Sequence, residues 1–463
     1  MDCKARRPAG PLAALACLAA VLAASVAARA DTYRAAAAKR TITPQQPLWA
    51  GGYAGRDRPI SDTLQELYAK ALVLEDGRGA RIVFITTDLE NMERDFADTV
   101  IATLRQRFGL RREQVAVTCS HTHCGPVLAG FEAQITYPMT PEQYAATERY
   151  TAWLESQVVA LVAEAIARLA PAELAYGLGR AGFAVNRRNN REDQVGTDGY
   201  PPEGPVDHDV PVLRVVSADG SLMAVLFAYA CHPATLDGYQ WTGDYAGFAQ
   251  NNLEAAHPGS TALFVAGCGG DINPLPRRSV ELCRRYGREL ADAVEQVLGR
   301  DMKPNAGPLA AAYTEVDLAF DTVPTREQLT QQRAEGGRCT RKRAEILLEQ
   351  IDAGNPLSPT YPYRIQVLQL GEALTVVVLA GEALVDYSLR LKQELGPART
   401  WVFAYANDLC AYIPPERVLE EGGYEADSSM IYFGRPARWA PGLENTIIST
   451  VHRLAAQVRR DGQ

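Results

Sequence analysis

The sequence of 463 residues has no excess of positive charge, no internal repeat and no low-complexity linker. Its 55 acidic residues outnumber the 47 basic ones, so it lacks the cationic balance that binding to nucleic acid requires. Hydrophobic residues make up 47% and charged residues 22% of the chain, which excludes a collagen, a coiled coil and a largely disordered protein. We therefore expect one large globular domain, with no nucleic-acid partner and no sign of an obligate protein partner.

Long apolar runs are scarce, and the run Pro11–Val26 is too short and too rich in alanine to be a good membrane span. Three basic residues precede it within the first seven positions, and Ala28-Arg29-Ala30 follows it. This order is typical of a secretory signal peptide, whereas the alternative is an N-terminal membrane anchor. We predict that residues 1–30 are a signal peptide and that the protein is exported, either to the periplasm or out of the cell. Residues 31–463 would then form the mature domain.

Cysteine is also sparse, and the nine cysteines show no dense, even spacing of the kind found in small disulfide-stapled domains. Two of them belong to the predicted signal peptide. Seven remain, so at least one thiol stays free or pairs between chains. Five cysteines lie near the motifs described below, either as thiolates of a metal or redox site or as small buried packing residues, and we favour packing. These five are Cys119, Cys124, Cys231, Cys268 and Cys410.

Strand and helix patterns alternate along the chain, which predicts an α/β fold with mixed β-sheets flanked by helices. The apolar runs Ala69–Leu74 and Arg81–Thr87 predict a hairpin, and a helix over Phe96–Phe108 and a strand over Gln114–Thr118 complete a βαβ unit. A capped helix is predicted to begin at Thr140. Further strands are predicted at Val210–Val216, Leu222–Tyr229, Ala262–Ala266, Tyr363–Leu370, Leu374–Ala380 and Thr400–Tyr405. Further helices are predicted at Tyr245–Ala256, Val280–Leu298, Arg326–Ile351, Val385–Leu395 and Glu444–Val458, and a surface loop at Asn189–Asp207.

Only six histidines occur, and two of them lie in the segment Cys119–Pro126, directly after the predicted strand Gln114–Thr118. In open α/β sheets, ligands bind beyond the carboxyl ends of the strands. His121 and His123 are spaced so that one imidazole can face a metal while the other faces a substrate. The alternative is a pair of polar histidines in a turn, and this segment alone does not decide between the two.

Two further segments place polar side chains at strand ends. His232 follows the strand Leu222–Tyr229, and Glu382 follows the strand Leu374–Ala380, whereas Glu372 at the opposite end of that strand is expected in a turn. Two neutral imidazoles and a carboxylate form the ligand set of a catalytic zinc site, although iron also binds such a set. The residue types alone therefore do not choose the metal. Three histidines are expected to be structural or surface residues: His208, His257 and His452.

In this order, the motifs resemble the neutral, non-lysosomal ceramidase family, specifically its zinc-bearing N-terminal catalytic domain. The resemblance extends from about Arg40 to Gly434, which is most of the mature chain. No single motif is decisive, but their combination and order are specific. The motifs are Ser120–Pro126, Val185–Arg187, His232 with Thr242–Ala249, Gly270–Pro274, Gly381-Glu382, Tyr405–Tyr412 and Gly423–Glu425.

The resemblance implies a role for each matching position. The implied zinc ligands are His121, His232, Glu382 and Tyr412, of which the tyrosine could not be chosen from spacing. The implied catalytic residues are His123, Arg187, Asn273 and Tyr424, with Arg187 and Asn273 also binding substrate. His123 would act as an acid and base, or polarise the carbonyl, beside a zinc-bound water. Asp244 and Asp271 are expected to support the site without touching the metal, and Asp244 would do so by orienting His232.

The chain departs from the family pattern in two respects. Asn273 replaces a serine of the family motif, so a serine nucleophile is excluded, although the asparagine can donate a hydrogen bond to an oxyanion. The chain stops at Gln463 after a predicted helix, so we expect the β-sandwich domain that follows the catalytic domain in ceramidases to be absent. The first departure bears on whether the chain is active, and the second on membrane-lipid presentation and ceramide as the substrate.

The resemblance thus implies a zinc-dependent hydrolase that cleaves an N-acyl amide by attack of zinc-bound water, with a ceramide-like lipid as the favoured substrate. Transient contact with a membrane surface would accompany a lipid substrate. One alternative is a zinc hydrolase of another small amide or ester. The other alternative is an exported binding protein that keeps the fold without catalysis. A long apolar groove above His121 would favour acyl chains, whereas a narrow polar pocket would not.

Overall fold

The computed structural model describes residues 33–462 of the chain. The predicted signal peptide, residues 1–30, lies outside the described residues. Within the described range, no helix combines the length and the apolar character needed to cross a lipid bilayer.

The secondary structure consists of many short strands and fewer, longer helices. The strands of the described range are β1 (Tyr33–Thr41), β2 (Asp62–Thr63), β3 (Tyr68–Glu75), β4 (Arg81–Thr87), β5 (Val115–Cys119), β6 (Ala170–Arg180), β7 (Ala184–Asn186), β8 (Asp209–Ser217), β9 (Leu222–Tyr229), β10 (Gln240–Trp241), β11 (Thr261–Ala266), β12 (Ile272–Pro274), β13 (Lys303–Asn305), β14 (Leu309–Ala319), β15 (Thr360–Leu370), β16 (Leu374–Leu379), β17 (Glu382–Ala383), β18 (Thr400–Phe403) and β19 (Tyr412–Ile413). The helices are α1 (Arg94–Phe108), α2 (Phe131–Thr136), α3 (Pro141–Ala167), α4 (Asp244–Ala256), α5 (Val280–Leu298), α6 (Arg326–Glu335), α7 (Arg338–Asp352), α8 (Val385–Leu395), α9 (Glu416–Glu421) and α10 (Leu443–Asp461).

The larger sheet has the strand order β11-β9-β8-β6-β1-β3-β4-β5, and β13 pairs with β6 beside this path. Its strands are antiparallel except for the pairs β9/β11 and β4/β5, one at each end of the order. Adjacent strands rotate by roughly 20–25° relative to each other. Over a sheet of this width the accumulated twist turns the two end pairs toward a similar direction, although they are formally antiparallel.

A smaller sheet, β14-β15-β16-β18, packs face to face against the larger one. Their shared core contains side chains from the strands of both sheets and none from a helix. Phe84 meets Phe403 across this interface with ring centroids 6.4 Å apart, and Tyr176 meets Trp401 at the same separation. Buried aromatic pairs of this kind add to the burial of apolar area that holds two sheets together.

Helices cover the outer faces of both sheets. On the larger sheet, α3 packs on β1 and β3, α5 on β6 and β8, and α4 on β11, while α1 packs beside α3. On the smaller sheet, α10 packs on β14 and β15, and α8 packs on β18. The result is a four-layer arrangement of helices, sheet, sheet and helices, which confirms the predicted α/β fold with mixed sheets.

Most predicted elements are confirmed with small shifts at their ends, including the hairpin of β3 and β4 and the unit β4-α1-β5. The helix predicted over Arg326–Ile351 is wrong, because Gly336 and Gly337 divide it into α6 and α7. Two successive glycines have low helix propensity and end the first helix. The segment Asn189–Asp207 contains no helix or strand, as predicted for a loop.

We expect Thr140→Ala to destabilise the protein by about 1 kcal/mol, because Thr140 caps the 27-residue helix α3. The Thr140 hydroxyl accepts a hydrogen bond from the backbone of Gln143, whose side chain accepts one from the backbone of Thr140. The urea midpoint of unfolding, followed by circular dichroism, measures the change. Thr330→Ala is the control, because Thr330 is exposed within α6, and its midpoint should barely move. Equal midpoints for both variants would contradict the capping role.

Candidate active site

Several strand ends meet at one place in the fold. β5 and β11 lie at opposite ends of the larger sheet's strand order, yet isolated bridges join Thr118 to Ala406 and Gly267 to Phe403. The segment that follows β18 therefore contacts the ends of both strands. The chain leaving each of these strands carries polar side chains into the same buried region, which is the arrangement expected for ligand sites in α/β proteins.

Three imidazoles, a carboxylate and a phenol converge in this region. The Nε2 atoms of His121 and His232 lie 3.3 and 3.1 Å from Oε2 of Glu382. Nε2 of His123 lies 3.3 Å from Nε2 of His121, and the hydroxyl of Tyr412 lies 3.5 Å from Nε2 of His232. All five side chains are buried. The structure thus brings together the four predicted ligand positions and adds His123 to the same group.

Backbone carbonyls orient two of the imidazoles. Nδ1 of His121 lies 2.7 Å from the carbonyl of Glu90, and Nδ1 of His232 lies 2.6 Å from the carbonyl of Gly269. A carbonyl only accepts hydrogen bonds, so each Nδ1 carries the ring proton and each Nε2 presents a lone pair. Both lone pairs therefore point toward the side where Oε2 of Glu382 lies.

A two-residue parallel ladder positions the other two predicted ligands. Glu382 in β17 is the register partner of Tyr412 in β19. Gly381 directly precedes this ladder with a φ of +68°, and a Cβ atom there would lie 2.6 Å from the carbonyl oxygen of Ala411. Only glycine accommodates both the left-handed backbone and this close approach. In the motif Gly381-Glu382, the glycine is therefore required by the backbone geometry, and the glutamate supplies a candidate ligand.

Three of the five non-glycine residues with left-handed backbone in the described range lie on His121's loop and the segment that faces it. His121 has a φ of 63°, and Tyr405 and Asn407 on the facing segment have φ values of 53° and 63°. The ring of Tyr405 lies against that of His121 with centroids 4.6 Å apart. Such residues cost free energy and persist where the surrounding structure holds them, which is common at functional sites.

Burial sets the charges of the converging groups. Burial, together with the nearby cation of Arg187, lowers the pKa of His232 to about 4. Burial and the neighbouring imidazoles also hold the pKa of His123 well below its ordinary value. His123 and His232 therefore face the centre as neutral imidazoles, the form in which histidine binds metal ions.

These residues fit a divalent metal ion such as zinc. Oε2 of Glu382 is buried and receives no hydrogen bond from the described residues, although two imidazole nitrogens lie within 3.3 Å. Lone pairs that face one another in a buried space repel unless a cation lies between them. Histidine nitrogen and carboxylate oxygen are common zinc ligands, and Tyr412 would be the unusual fourth. Within the described range, His121, His123 and His232 form the one group of histidine, cysteine or acidic side chains whose ligand atoms all lie within 4.8 Å of one another.

Arg187 links the candidate ligands to the predicted catalytic residues. Its guanidinium donates to the hydroxyl of Tyr412 at 3.2 Å, to Oδ1 of Asn273 at 3.4 Å and to Glu425 at 2.9 Å. β7, which precedes Arg187, pairs with β12, which contains Asn273. Tyr424 stands beside Tyr412 with ring centroids 5.4 Å apart. The four predicted catalytic residues therefore surround the candidate metal centre.

The two aspartates predicted to support the site behave differently. Asp244 does not contact His232: its carboxylate accepts hydrogen bonds from the backbone of Leu236 and Tyr245, whereas the carbonyl of Gly269 orients the imidazole. The expectation for Asp244 is therefore corrected. Asp271 does support the site indirectly, because its carboxylate accepts hydrogen bonds from the backbone of Val385 and the side chain of Asn186. Burial raises the pKa of Asp271 to about 6.

The cysteines near the site form no ligand group and no disulfide within the described range. Cys119 approaches the backbone carbonyls of Glu90 and Tyr405, and burial raises the pKa of its thiol well above the ordinary value. A protonated buried thiol packs as a small apolar residue, which supports the favoured interpretation. The histidines expected to be structural or at the surface lie outside the site. His257 and His452 pair with carboxylates, and His208 lies between the carbonyl of Ala184 and the guanidinium of Arg180.

Two cavities open onto the candidate centre. A cavity of about 140 Å³ contacts His121, His123, Glu382, Tyr412 and Tyr424 on one side. Its remaining lining includes Glu90, Asn91, Glu132, Thr136 and Tyr137. A wider cleft of about 620 Å³ contacts His123 and Tyr424 from the other side and is lined by Arg187, Asn273 and further charged residues. In the smaller cavity these polar groups share the lining with apolar and aromatic residues, among them Ala54, Tyr432 and Phe433, and at about 140 Å³ it is not a long groove.

Some site residues were not predicted from the sequence. Glu90 and Asn91 follow the buried strand β4, so the strand-end argument applied to His232 would have found them. Glu425 lies in the motif Gly423–Glu425, but nothing in the sequence indicated that it contacts Arg187. Glu132 lies in the short helix α2, where nothing in the sequence distinguishes it from a surface acid.

A model of the family described as neutral/alkaline non-lysosomal ceramidase, N-terminal, matches residues 42–274, just over half of the chain. The chain belongs to this family. Neutral ceramidase of Pseudomonas aeruginosa is 26% identical over 331 residues, which cover 67% of this chain and 48% of that protein. Neutral ceramidase A of Dictyostelium discoideum is 26% identical over 229 residues, which cover 45% of this chain and 31% of that protein.

The fold agrees with this membership. The crystal structure of neutral ceramidase from Pseudomonas aeruginosa matches with a TM-score of 0.73 and 20% identity, covering 93% of this chain and 75% of that one. At this identity the match concerns the fold alone. The chain spans about half the length, or less, of the curated relatives described above.

We expect the purified protein to bind about one zinc ion per chain, and His121→Ala and His232→Ala to lower its zinc affinity by about tenfold or more, since even groups that only support ligands contribute that much. Mass spectrometry of the metal content measures the stoichiometry, and competition with a zinc-binding dye measures the affinity. His257→Ala is the control, because this histidine pairs with Glu295 away from the site. Full zinc affinity in both site variants would contradict the assignment.

Proposed function

We propose that the protein is a zinc-dependent hydrolase of N-acyl amides, related in its chemistry to the neutral ceramidases. The observation that carries the proposal is the convergence of lone pairs from His121, His232 and Glu382 on one buried point beside two cavities. When bound there, zinc supplies a Lewis acid and lowers the pKa of water toward neutrality. His121, His232, Glu382 and Tyr412 would hold it.

The residues around this point can perform the remaining tasks of amide hydrolysis. Nε2 of His123 faces the ligand group and lines both cavities, so it can take a proton from water and pass one to the leaving amine. Arg187 holds the phenol of Tyr412 in place and lines the wider cleft, where it can bind the polar part of a substrate. Glu425 accepts a hydrogen bond from Nε of Arg187 and so holds the guanidinium in position.

Asn273 occupies a position suited to stabilising charge rather than to nucleophilic attack. Its Oδ1 accepts a hydrogen bond from Arg187, which orients the amide so that its NH₂ group is free to donate. Asn273 also lines the wider cleft. An NH₂ donor beside the reacting carbonyl can stabilise an oxyanion, and no serine is required for attack by water.

We expect His123→Ala to lower kcat for amide hydrolysis by about 10²–10⁴-fold while zinc stays bound, because the variant removes a proton carrier. The assay compares ceramide, short-chain N-acyl amides and small soluble amides, followed by release of the amine. His452→Ala is the control, because His452 pairs with Glu394 on the surface. Zinc-loaded wild-type protein that hydrolyses no member of the panel would overturn the proposal and favour a binding protein. Loss of zinc in His123→Ala would make this histidine a ligand instead.

For Asn273, we expect Asn273→Ala to lower kcat by about 10–10³-fold with little change in KM, because an oxyanion donor acts only in the transition state. Asn273→Gln, which keeps an amide in a displaced position, tests the geometry of the donor. The kinetic constants are measured on zinc-loaded protein, with bound zinc quantified in each variant. A variant in which KM rises while kcat is unchanged would assign Asn273 to substrate binding alone.

A further inference from the structure

The helical hairpin formed by α6 and α7 lies beside the smaller cavity without lining it. Among the described residues, none of α6 or α7 lines either cavity at the candidate metal centre. The hairpin has an apolar cluster of its own, separate from the cores of both sheets, formed by Leu329, Ala344, Leu347 and Leu348. Its position against the rest of the chain therefore depends on the contacts that it makes there.

Two arginines of α7 donate hydrogen bonds to backbone carbonyls of three different segments. The guanidinium of Arg338 donates to the carbonyl of Ala54 at 3.0 Å and to that of Ile135 in α2 at 3.4 Å. The guanidinium of Arg343 donates to the carbonyl of Arg435 at 3.3 Å. An arginine has five N–H donors in a rigid planar arrangement, so one side chain can hold two carbonyls at a set separation.

Each of the three segments contributes to the lining of the smaller cavity. Ala54 lines the cavity itself, α2 contributes Glu132 and Thr136, and the segment before Arg435 contributes Tyr432 and Phe433. The hydrogen bonds from α7 therefore join three parts of one lining that are far apart in the sequence. Without the two bonds from the hairpin, the loop at Ala54 and α2 are free to move apart, and the cavity widens.

The smaller cavity suits a short acyl chain better than the wider cleft does. Its lining combines polar groups with Ala54, Tyr432 and Phe433, whereas the wider cleft is lined by Arg187, Asn273 and further charged residues. Covering charged groups with an apolar chain is unfavourable. The volume of about 140 Å³ equals the space of about five water molecules, so a chain of about four or five heavy atoms fills it.

We infer that Arg338 is a positioning residue for substrate specificity: by holding the loop at Ala54 against α2, it keeps the smaller cavity narrow and selects N-acyl amides with short acyl chains. The inference rests on the proposed function, because it names the substrate class for that same centre. Arg338 does not line the cavity, so it acts through the segments that it joins. Its loss should therefore change which acyl chains are accepted and leave the reacting groups in place.

A series of amides with one leaving amine and acyl chains of two to twelve carbons tests the size limit on the wild-type protein. We expect kcat/KM to rise about fourfold for each added methylene, the gain from burying one, and to stop rising at about five carbons. Longer chains extend beyond the cavity and gain no further contact. A rise that continues at the same slope up to twelve carbons would contradict the size limit.

Arg338→Ala should shift this preference toward longer chains. We expect the ratio of kcat/KM for the pentanoyl amide to that for the octanoyl amide to fall by about three- to tenfold, the range for lost hydrogen bonds. Arg338→Lys should restore only part of the ratio, because an ammonium does not hold two carbonyls in a fixed geometry. Arg341→Ala is the matched control, because Arg341 lies on the same helix and its hydrogen bond is to the carbonyl of Gly336 within the hairpin.

Two further measurements separate this role from a general loss of stability. Hydrogen exchange followed by mass spectrometry should be faster in residues 51–56 and 131–137 of Arg338→Ala, whereas Arg341→Ala should match the wild type. Thermal unfolding and bound zinc are measured for each variant. A fall in kcat/KM by the same factor for every acyl chain would show a general structural effect and would overturn the role in specificity.

The outcomes also separate this inference from the proposed function. Amide hydrolysis with an unchanged chain-length ratio in Arg338→Ala keeps the proposed function and removes the role of Arg338. Zinc-loaded protein that hydrolyses no amide of the series removes both the proposed function and the selection of substrates. Unchanged hydrogen exchange in Arg338→Ala would show that its hydrogen bonds do not hold the two segments together, whatever the activity.

Discussion

The site depends on one electrostatic constraint: two imidazole lone pairs and a buried carboxylate face one another with no proton between them. The carbonyls of Glu90 and Gly269 hold the ring protons of His121 and His232 on the far nitrogens, so neither ring can donate to Glu382. In water this arrangement would relax by rotation, but here every group is buried and locked. A cation would relieve the repulsion, which supports the proposal of a metal ion at this place.

The fold meets this constraint by bringing together chain segments that are far apart in the sequence. Accumulated twist in the larger sheet turns the ends of β5 and β11 to the same side, and the segment after β18 connects them. The ladder of Glu382 and Tyr412 then adds a carboxylate and a phenol from the side of the smaller sheet. Gly381 allows the backbone before Glu382 to lie close to the carbonyl of Ala411. The backbone strain at His121 and Tyr405 is held in place by the packed layers around it.

The sequence predicted the layers and much of the centre, because strand-end positions follow from apolar runs that are easy to recognise. His121, His232 and Glu382 were found in this way, whereas Tyr412 came from the family resemblance alone. The partner of His232 could not be predicted: a carbonyl of the backbone takes the place expected for Asp244, and any residue type supplies a carbonyl. Contacts made by backbone atoms cannot be recognised from residue types.

Family membership and the cavity walls answer different questions. The family motifs describe the reacting centre, whose ligands must keep their geometry for any amide. Several residues that line the smaller cavity come from the loop after β4 and from α2, outside the ligand motifs. Glu90 and Glu132 line the space next to the centre and hydrogen-bond each other, and burial together with the neighbouring Glu132 holds the pKa of Glu90 well above its usual value. In a centre of this kind, the side chains around the ligands rather than the ligands themselves therefore decide which substrate reaches the reacting atoms.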